Sequence, residues 1–312
     1  MADTPNILVV GSINMDMVVR APHMPAPSET VLGERFVTSP GGKGANQAVA
    51  VARLGGRCRL IGRVGKDAFG EALLANLKAE GIDCTHVMPT PEAPSGVAMI
   101  VVDARGENAI VVAGGANRML TPDDMFSLDA VFADSAVLVL QLELPLPTVR
   151  AAIDIGRRHG CQVILDPAPA PRTMCDALYR VDILSPNVIE AEMLTGKKAI
   201  EERVDKLVAS DLVARGAKAA VLKLGSRGSM VVMADGHFYR VPAYKVVVED
   251  TTAAGDAFTA ALAVAAARGD SLHQAAKFAN AAGGLACTKL GAQSAMPTAD
   301  EVRSLMQDQR RE

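Results

Sequence analysis

Short apolar runs punctuate this chain, and each gives way to polar or helix-patterned sequence. They are Ile7–Val10, Cys58–Gly62, Ala136–Leu140, Val163–Leu165, Asp182–Leu184 and Ala219–Leu222. Helix-like stretches lie at Gly70–Glu80, stopped by Gly81, and at about Leu146–His159, where Gly160 is a natural terminator. Strands that are apolar along their whole length suit a sheet covered on both faces. The alternation therefore predicts an α/β fold, a central and mostly parallel sheet flanked by helices. Ligands in such folds sit beyond the carboxyl ends of the strands. Asn14, Asp16, Glu143, Asp166, Asn187, Gly225 and Asp256 all fall just after strand-like runs, which gathers them into one cleft.

Two segments break the alternation. Residues 15–38 and 95–113 are β-rich, the second around the turn signal Asp103-Ala104-Arg105-Gly106-Glu107-Asn108. No repeat, low-complexity tract or linker divides the 312 residues, so 1–312 is expected to form one domain. A hydrophobic share of 49% supplies its core. The net charge of −3 and the pI near 6.0 lack the basic excess of a nucleic-acid binder. Aromatic residues are only 3% with no Trp, which removes stacking platforms for single strands. No run approaches the ~18 apolar residues of a membrane span. MADTPNILVV lacks a signal-peptide pattern, so a cytoplasmic protein is expected. Cysteines 58, 84, 161, 175 and 287 are scattered without a C-x-x-C, and buried free thiols are expected. Gln307 to Glu312 are expected to fray.

Two segments carry chemistry. Asp250-Thr251-Thr252-Ala253-Ala254-Gly255-Asp256-Ala257-Phe258 joins a strand-like run, Tyr239–Glu249, to an Ala-rich helix pattern, Ala257–Arg268. Small residues at 253–255 permit a tight turn whose N–H groups open the helix, where an anion is attracted. Asp256 beside that anion is placed to take a proton from a hydroxyl nucleophile; as a plain first-turn acid it would also be ordinary. Ser39-Pro40-Gly41-Gly42-Lys43-Gly44-Ala45-Asn46-Gln47-Ala48 brings glycines that admit a close ligand, and Asn46 with an amide for a hydroxyl. It is neither a P-loop nor G-x-G-x-x-G.

Together these segments resemble the ribokinase branch of the PfkB carbohydrate-kinase family, from about Ile7 to about Pro297. Both family signatures are present, GGKGANQAVA at 41–50 and DTTAAGDAF at 250–258. Between and around them stand Gly11-Ser12-Ile13-Asn14-Met15-Asp16, Gln141-Leu142-Glu143, Asp166-Pro167-Ala168-Pro169-Ala170, Ser185-Pro186-Asn187-Val188-Ile189-Glu190, Leu224-Gly225-Ser226-Arg227-Gly228 and Gly291-Ala292-Gln293. The resemblance implies a ribokinase-like fold whose segments 15–38 and 95–113 form a small β-sheet lid, through which a homodimer assembles. It implies ATP-dependent phosphorylation of D-ribose at the 5-hydroxyl, with Mg²⁺ and an activating K⁺, and no nucleic-acid or membrane partner.

The same resemblance assigns roles. Asn14, Asp16, Gly42, Lys43, Asn46 and Glu143 match the sugar site. Asp256 matches the general base, with the backbone of Ala253, Ala254, Gly255 and Asp256 as anion hole. Asn187, Glu190, Lys223, Gly225, Ser226, Gly228, Gly255 and Asn280 match the nucleotide side, Glu190 acting on Mg²⁺ through water. Taken alone, Asn187 and Glu190 read equally well as a capping box, Lys43 and Arg227 as solvated loop cations, and Asn280 as a surface residue. Asp250, Thr252, Ala286, Lys289, Gly291 and Ala295 match the K⁺ site. Here the chain departs from the family, which reads Pro-Ser where Ser294-Ala295 stands, so Ala295 brings no hydroxyl. A sister kinase for 2-deoxyribose, another sugar or a nucleoside is the alternative. A sugar-sensing or structural homologue is a third reading, though it should lack the base or the small-residue loop.

Overall fold

The structure is a computed structural model that describes residues 5–309. Its strands are β1 (Asn6–Val10), β2 (Asn14–Arg20), β3 (Arg35–Gly41), β4 (Arg57–Gly65), β5 (Asp83–Thr90), β6 (Gly96–Val102), β7 (Asn108–Ala113), β8 (Val137–Leu140), β9 (Gln162–Leu165), β10 (Ile183–Leu184), β11 (Ala219–Lys223), β12 (Ser229–Met233) and β13 (Phe238–Val241). Its helices are α1 (Lys43–Arg53), α2 (Ala68–Ala79), α3 (Pro122–Ser127), α4 (Asp129–Ala133), α5 (Leu146–Arg158), α6 (Val188–Thr195), α7 (Glu202–Ala214), α8 (Ala254–Ala267), α9 (Leu272–Ala286) and α10 (Ala299–Asp308).

The large sheet has nine strands in the order β13-β12-β11-β10-β9-β8-β1-β4-β5. It is parallel from β11 to β5, and antiparallel only where β12 and β13 add to its edge. Successive residues of a strand face opposite sides, and β1 shows the consequence. Ile7 and Val9 enter one core, with α1, α2, α8 and α9. Leu8 and Val10 enter the other, with α3, α5 and α7. A strand wedged between two cores must be apolar throughout, which is the pattern seen in the sequence. On α8, Ala257, Ala260, Ala261, Ala263 and Ala265 are all fully buried; with no long side chains to separate them, α1 and α9 approach it closely.

Residues 15–38 and 95–113 supply a second sheet, in the order β3-β2-β6-β7. β2 pairs antiparallel with β3 and parallel with β6, and β6 pairs antiparallel with β7. The Asp103–Asn108 turn signal falls between β6 and β7, as expected, with Gly106 at φ 82°.

Several expectations need correcting. The strand-like run Tyr239–Glu249 is a strand only through Val241. Val241 pairs with Ser229, the first residue of β12, so the chain beyond it has no partner strand to add to. The thiols are not uniformly buried: Cys58, Cys84 and Cys161 are, Cys287 is half-buried and Cys175 is exposed. At the carboxyl end Gln307 and Asp308 complete α10 rather than fray, while residues 310–312 lie outside the described residues.

Candidate active site

The turn after β1 and the start of α1 meet backbone to backbone. Gly42, at φ 89°, caps α1, and a Cβ there would stand 2.7 Å from the Asn14 nitrogen. Gly44 lies as tightly against Gly11, where a Cβ would be 2.5 Å from its Cα. These contacts require glycine and bring the first residues of β2 beside the first turn of α1. Asn14 is buried, its Oδ1 accepting from Asn117 Nδ2 at 2.8 Å. Glu143, which follows β8, accepts on one oxygen from Ser12 Oγ (2.5 Å), the Lys43 N–H (3.2 Å) and Asn14 Nδ2 (3.4 Å). Ser12, Asn14, Lys43 and Glu143, from the turn after β1, β2, α1 and the loop after β8, are therefore one hydrogen-bonded group.

Asp16 lies two residues along β2, on the same face as Asn14. Its carboxyl occupies the space in which a side chain at Gly41 would stand. Burial, with the negative charges of Glu143 and Asp256 nearby, raises its pKa to about 7. Lys43 opens α1 and is no solvated loop residue. Desolvation works against its charge, but Asp256, Asp166, Glu143 and Glu190 outweigh that and push its pKa above the ordinary lysine value. It is a fixed cation among carboxylates.

Asp256 stands in the first turn of α8, 3% exposed. The turn into this helix is made by Ala253 at φ 57°, a left-handed conformation uncommon for a residue with a side chain. Ala257 N–H makes the first helical bond, to Ala253 O, so residues 254–256 hold the orphan N–H positions. The Ala254 N–H turns back to Thr251 O at 3.3 Å, leaving Gly255 and Asp256 as the donors that face outward from the helix end. The Asp256 carboxylate is clamped on both oxygens. Asn46 Nδ2 donates to Oδ2 and Gln47 Nε2 to Oδ1, each at 3.0 Å. Asn46 Oδ1 is buried without a partner among the described residues, an acceptor free for a hydroxyl.

On the opposite flank, Lys223 ends β11 and its Nζ donates to Asp166 Oδ1 at 2.9 Å. The same ammonium lies 3.5 Å from where a side chain on Gly255 would begin, so it borders the start of α8. Asn187 and Glu190 form a reciprocal capping box on α6, with Asn187 Nδ2 also donating to Glu190 at 2.8 Å. Burial raises the Glu190 pKa, Lys223 opposes the rise and Asp166 adds to it. No group of three or more His, Cys, Asp or Glu among the described residues could hold a metal on its own. Glu190, engaged in its cap, fits an ion held through water rather than directly.

Gly225 (φ 59°) and Gly228 (φ 85°) bracket the turn after β11, and a Cβ on Gly228 would lie 2.6 Å from the Ala243 nitrogen. Ser226 between them is exposed. Arg227 is not merely solvated: it pairs with the fully buried Asp205 and donates to Ala199 O at 2.8 Å. Asn280 is buried rather than superficial. Its Nδ2 donates to Ser229 Oγ, Val241 O and Pro242 O at 3.1–3.2 Å, fixing the chain as it leaves β13.

The residues matched to a cation site lie just before α8 and at or after the end of α9. Asp250 accepts from Thr252 N–H and Oγ1 on Oδ1, and from Gly291 N–H on Oδ2, tying the two segments together. Lys289 turns its ammonium to Glu301 at 2.8 Å. Ala295 is fully buried, and Ser294 Oγ donates back to Leu290 O rather than replacing the missing hydroxyl.

The sequence marks Asp166 only as a cleft residue and assigns no role to Ser12, Gln47, Asn117 or Gln141; all five are buried and bonded into this group. Ser12, Gln47, Gln141 and Asp166 lie inside the family-like motifs, which is their signal in the sequence; Asn117 has none. Two cavities of about 450 Å³ lie elsewhere, one by Phe69 and Val97, the other by Phe126 and Leu146. Neither collects these polar groups, so chemistry identifies the site rather than volume.

The model of the pfkB family carbohydrate kinases matches residues 4–299. A ribokinase of Bacillus subtilis is 39% identical over 303 residues, 96% of this chain and 99% of the relative. A deoxyribokinase of Salmonella typhi is 35% identical over 303 residues, covering 96% and 98%. Among solved structures, Arabidopsis thaliana ribokinase complexed with ribose and ATP superposes with a TM-score of 0.89 at 32% identity, covering 97% of this chain and 99% of that one.

Proposed function

Since this chain belongs to the pfkB family of carbohydrate kinases, we propose that it transfers the γ-phosphoryl group of ATP to the 5-hydroxyl of D-ribose, giving D-ribose 5-phosphate and ADP. The observation that carries this reading is the position of Asp256. A buried carboxylate in the first turn of α8 stands between a sugar-binding set and the Lys223–Asp166 pair. In the reaction the sugar's O5 attacks the γ-phosphorus, the bond to the β–γ bridging oxygen breaks, and the O5 proton passes to Asp256. Asn14, Asp16, Lys43, Asn46 and Glu143 hold the ribose hydroxyls, with backbone at Gly42 close enough to join them. Gly255 and Asp256 N–H groups and Lys223 meet the charge that develops on the phosphoryl oxygens. Asn187, Gly225, Ser226, Gly228 and Asn280 shape the nucleotide side.

Magnesium, held through water by Glu190, would neutralise phosphate charge, and potassium at Asp250, Thr252, Ala286, Lys289, Gly291 and Ala295 would stiffen the anion-hole loop. We take the chain as one catalytic unit of the cytoplasm, the small sheet as its lid, and the lid as the dimer contact. No helix among the described residues is long and apolar enough to cross a membrane. 2-Deoxyribose is the second reading, favoured by the 35% identity to a deoxyribokinase, close to that of the ribokinases.

The test is ATP turnover with Mg²⁺ on D-ribose, 2-deoxyribose, fructose and adenosine, each with and without K⁺. Preference for ribose, enhanced by K⁺, is the expected result; preference for another acceptor would overturn the substrate assignment. The Asp256→Asn variant should lose ~10²–10⁴ in kcat while ribose affinity changes little. Near-normal turnover by that variant would remove Asp256 from the base's role.

A further inference from the structure

Gln47 follows Asn46 on α1 and is fully buried. Its amide nitrogen stands 3.0 Å from Asp256 Oδ1 and 3.1 Å from Asp166 Oδ2. Ionised carboxylates only accept hydrogen bonds, so the NH₂ end must face them and its two hydrogens serve one each. The other end of the amide is fixed too. Gln47 Oε1 accepts from Gln141 Nε2 at 2.6 Å, and Gln141 fits only because Gly11 beside it has no side chain. Asp166 is held on its far oxygen by Lys223. One buried amide thus links the carboxylate on the sugar side to the ion pair on the phosphate side.

We infer that Gln47 is a positioning residue for the transfer reaction: it fixes the rotation of the Asp256 carboxylate and holds that carboxylate in its ionised form. The inference rests on the reading of Asp256 as the base. A donor to the charged form lowers a carboxyl's pKa, and its removal raises it. Asn46 alone would then hold the base, on Oδ2, and the carboxylate would be free to turn about that bond. The charged groups packed around the cluster are Asp16 from β2, Lys43 from α1, Glu143 after β8, Asp166 after β9 and Lys223 at the end of β11. Of these only Asp166 bonds Gln47 directly, and it keeps its Lys223 partner on the other oxygen.

The experiment is the pH profile of kcat at saturating ribose and ATP for Gln47→Met and Gln47→Glu, with Asp256→Asn in parallel. Saturating sugar keeps Asp16 in its ligand-bound form, so the acid limb of kcat reports the base. We expect that limb to move up by roughly one pH unit in Gln47→Met, the worth of one hydrogen bond to a charged group, and further in Gln47→Glu, whose own carboxyl adds like-charge repulsion. At pH 7 kcat should fall about tenfold or more with ribose KM within about threefold, since a turned base harms the transition state and not sugar binding. Gln141→Leu, which leaves Gln47 in place but frees its Oε1, should shift the limb less and in the same direction. It decides the question should the Gln47 variants fail to fold. An acid limb that stays in place in the folded variants, with any kcat loss following lowered Tm alone, would overturn the inference. If Asp256→Asn is inactive while the limb stays fixed, only the role of Gln47 falls. If Asp256→Asn turns over normally, the base assignment itself falls.

Discussion

At the scale of single residues the site is a concentration of negative charge that binding must relieve. Asp16, Glu143, Asp166, Glu190 and Asp256 are close enough to influence one another or Lys43, and Asp16 shows the cost in its pKa near 7. In its proposed role Asp16 would accept hydrogen bonds from sugar hydroxyls as a carboxylate, and below about pH 7 the free protein would have to give up a proton first. Ribose affinity should therefore fall as pH drops from 8 to 6, and Asp16→Asn should bind weakly, ~10- to 100-fold down, but with a flat profile. Calorimetric titration checks both. Stability moves the other way. The folded state holds a proton on Asp16 between its ordinary pKa of 3.8 and about 7 that the unfolded chain has released. Stability from this group is thus lost as pH rises through that window, and without sugar Asp16→Asn should melt higher than the parent at pH 8. An equal or lower Tm would contradict the burial and crowding assigned to Asp16. The residue's type and place after β1 were legible in the sequence. Its altered proton affinity was not, because the burial that chiefly raises it, and the charges of Glu143 and Asp256 that add to it, come from chain segments far away.

At the scale of elements, strand ends and helix starts carry the chemistry, and glycines decide how closely they meet. Gly41 closes β3 directly against the Asp16 carboxyl. Gly41→Ala should push that carboxyl out of line, raising ribose KM by about tenfold or more while ATP KM stays near the parent's, a split read from steady-state kinetics. Equal effects on both substrates would place Gly41 in general folding rather than in the sugar site. The apolar strands of the large sheet were legible because burial on both faces leaves a continuous apolar run. Tyr239–Glu249 misled for a physical reason: β-rich composition does not make a strand without a partner, and β12 ends opposite Val241. Asn280 takes over there, bonding Val241 O and Pro242 O from a helix. The capping box of Asn187 and Glu190 was legible as a cap, and the structure shows that cap formed beside Lys223 and Asp166.

At the scale of the whole molecule, the small sheet is apolar on both faces. Val37, Ile110 and Val112 share the Asp16 face and are 37–53% exposed, while Phe36, Met99 and Val111 share the other and are 56–69% exposed. All six residues of the edge strand β7 are exposed. A single-layer sheet with such faces and an open edge invites a second copy. Replacing Ile110 and Val111 together by Glu should turn a dimer into a monomer in sedimentation velocity at micromolar concentration. A parent that is already monomeric there would exclude the lid as a dimer contact. The Ser294-Ala295 pair belongs to this scale too: Ser294 turns to Leu290 O, while Asp250 and Gly291 tie two distant segments together.

The sequence by itself determined the layered α/β architecture, the extra β segments and the identity of the polar groups at strand ends. Those follow from local physics: side-chain period, turn chemistry and helix capping act over a few neighbouring residues. Only the tertiary structure decided which of these groups touch. Gln47 meets Asp256 across 209 residues and Asp166 across 119, and Lys223 meets Asp166 across 57. No periodicity records such meetings, because they are set by how α1, α8 and the carboxyl ends of β9 and β11 pack around one point. The raised pKa of Asp16, the fixed charge of Lys43 and the clamp on the Asp256 carboxylate all arise from that packing.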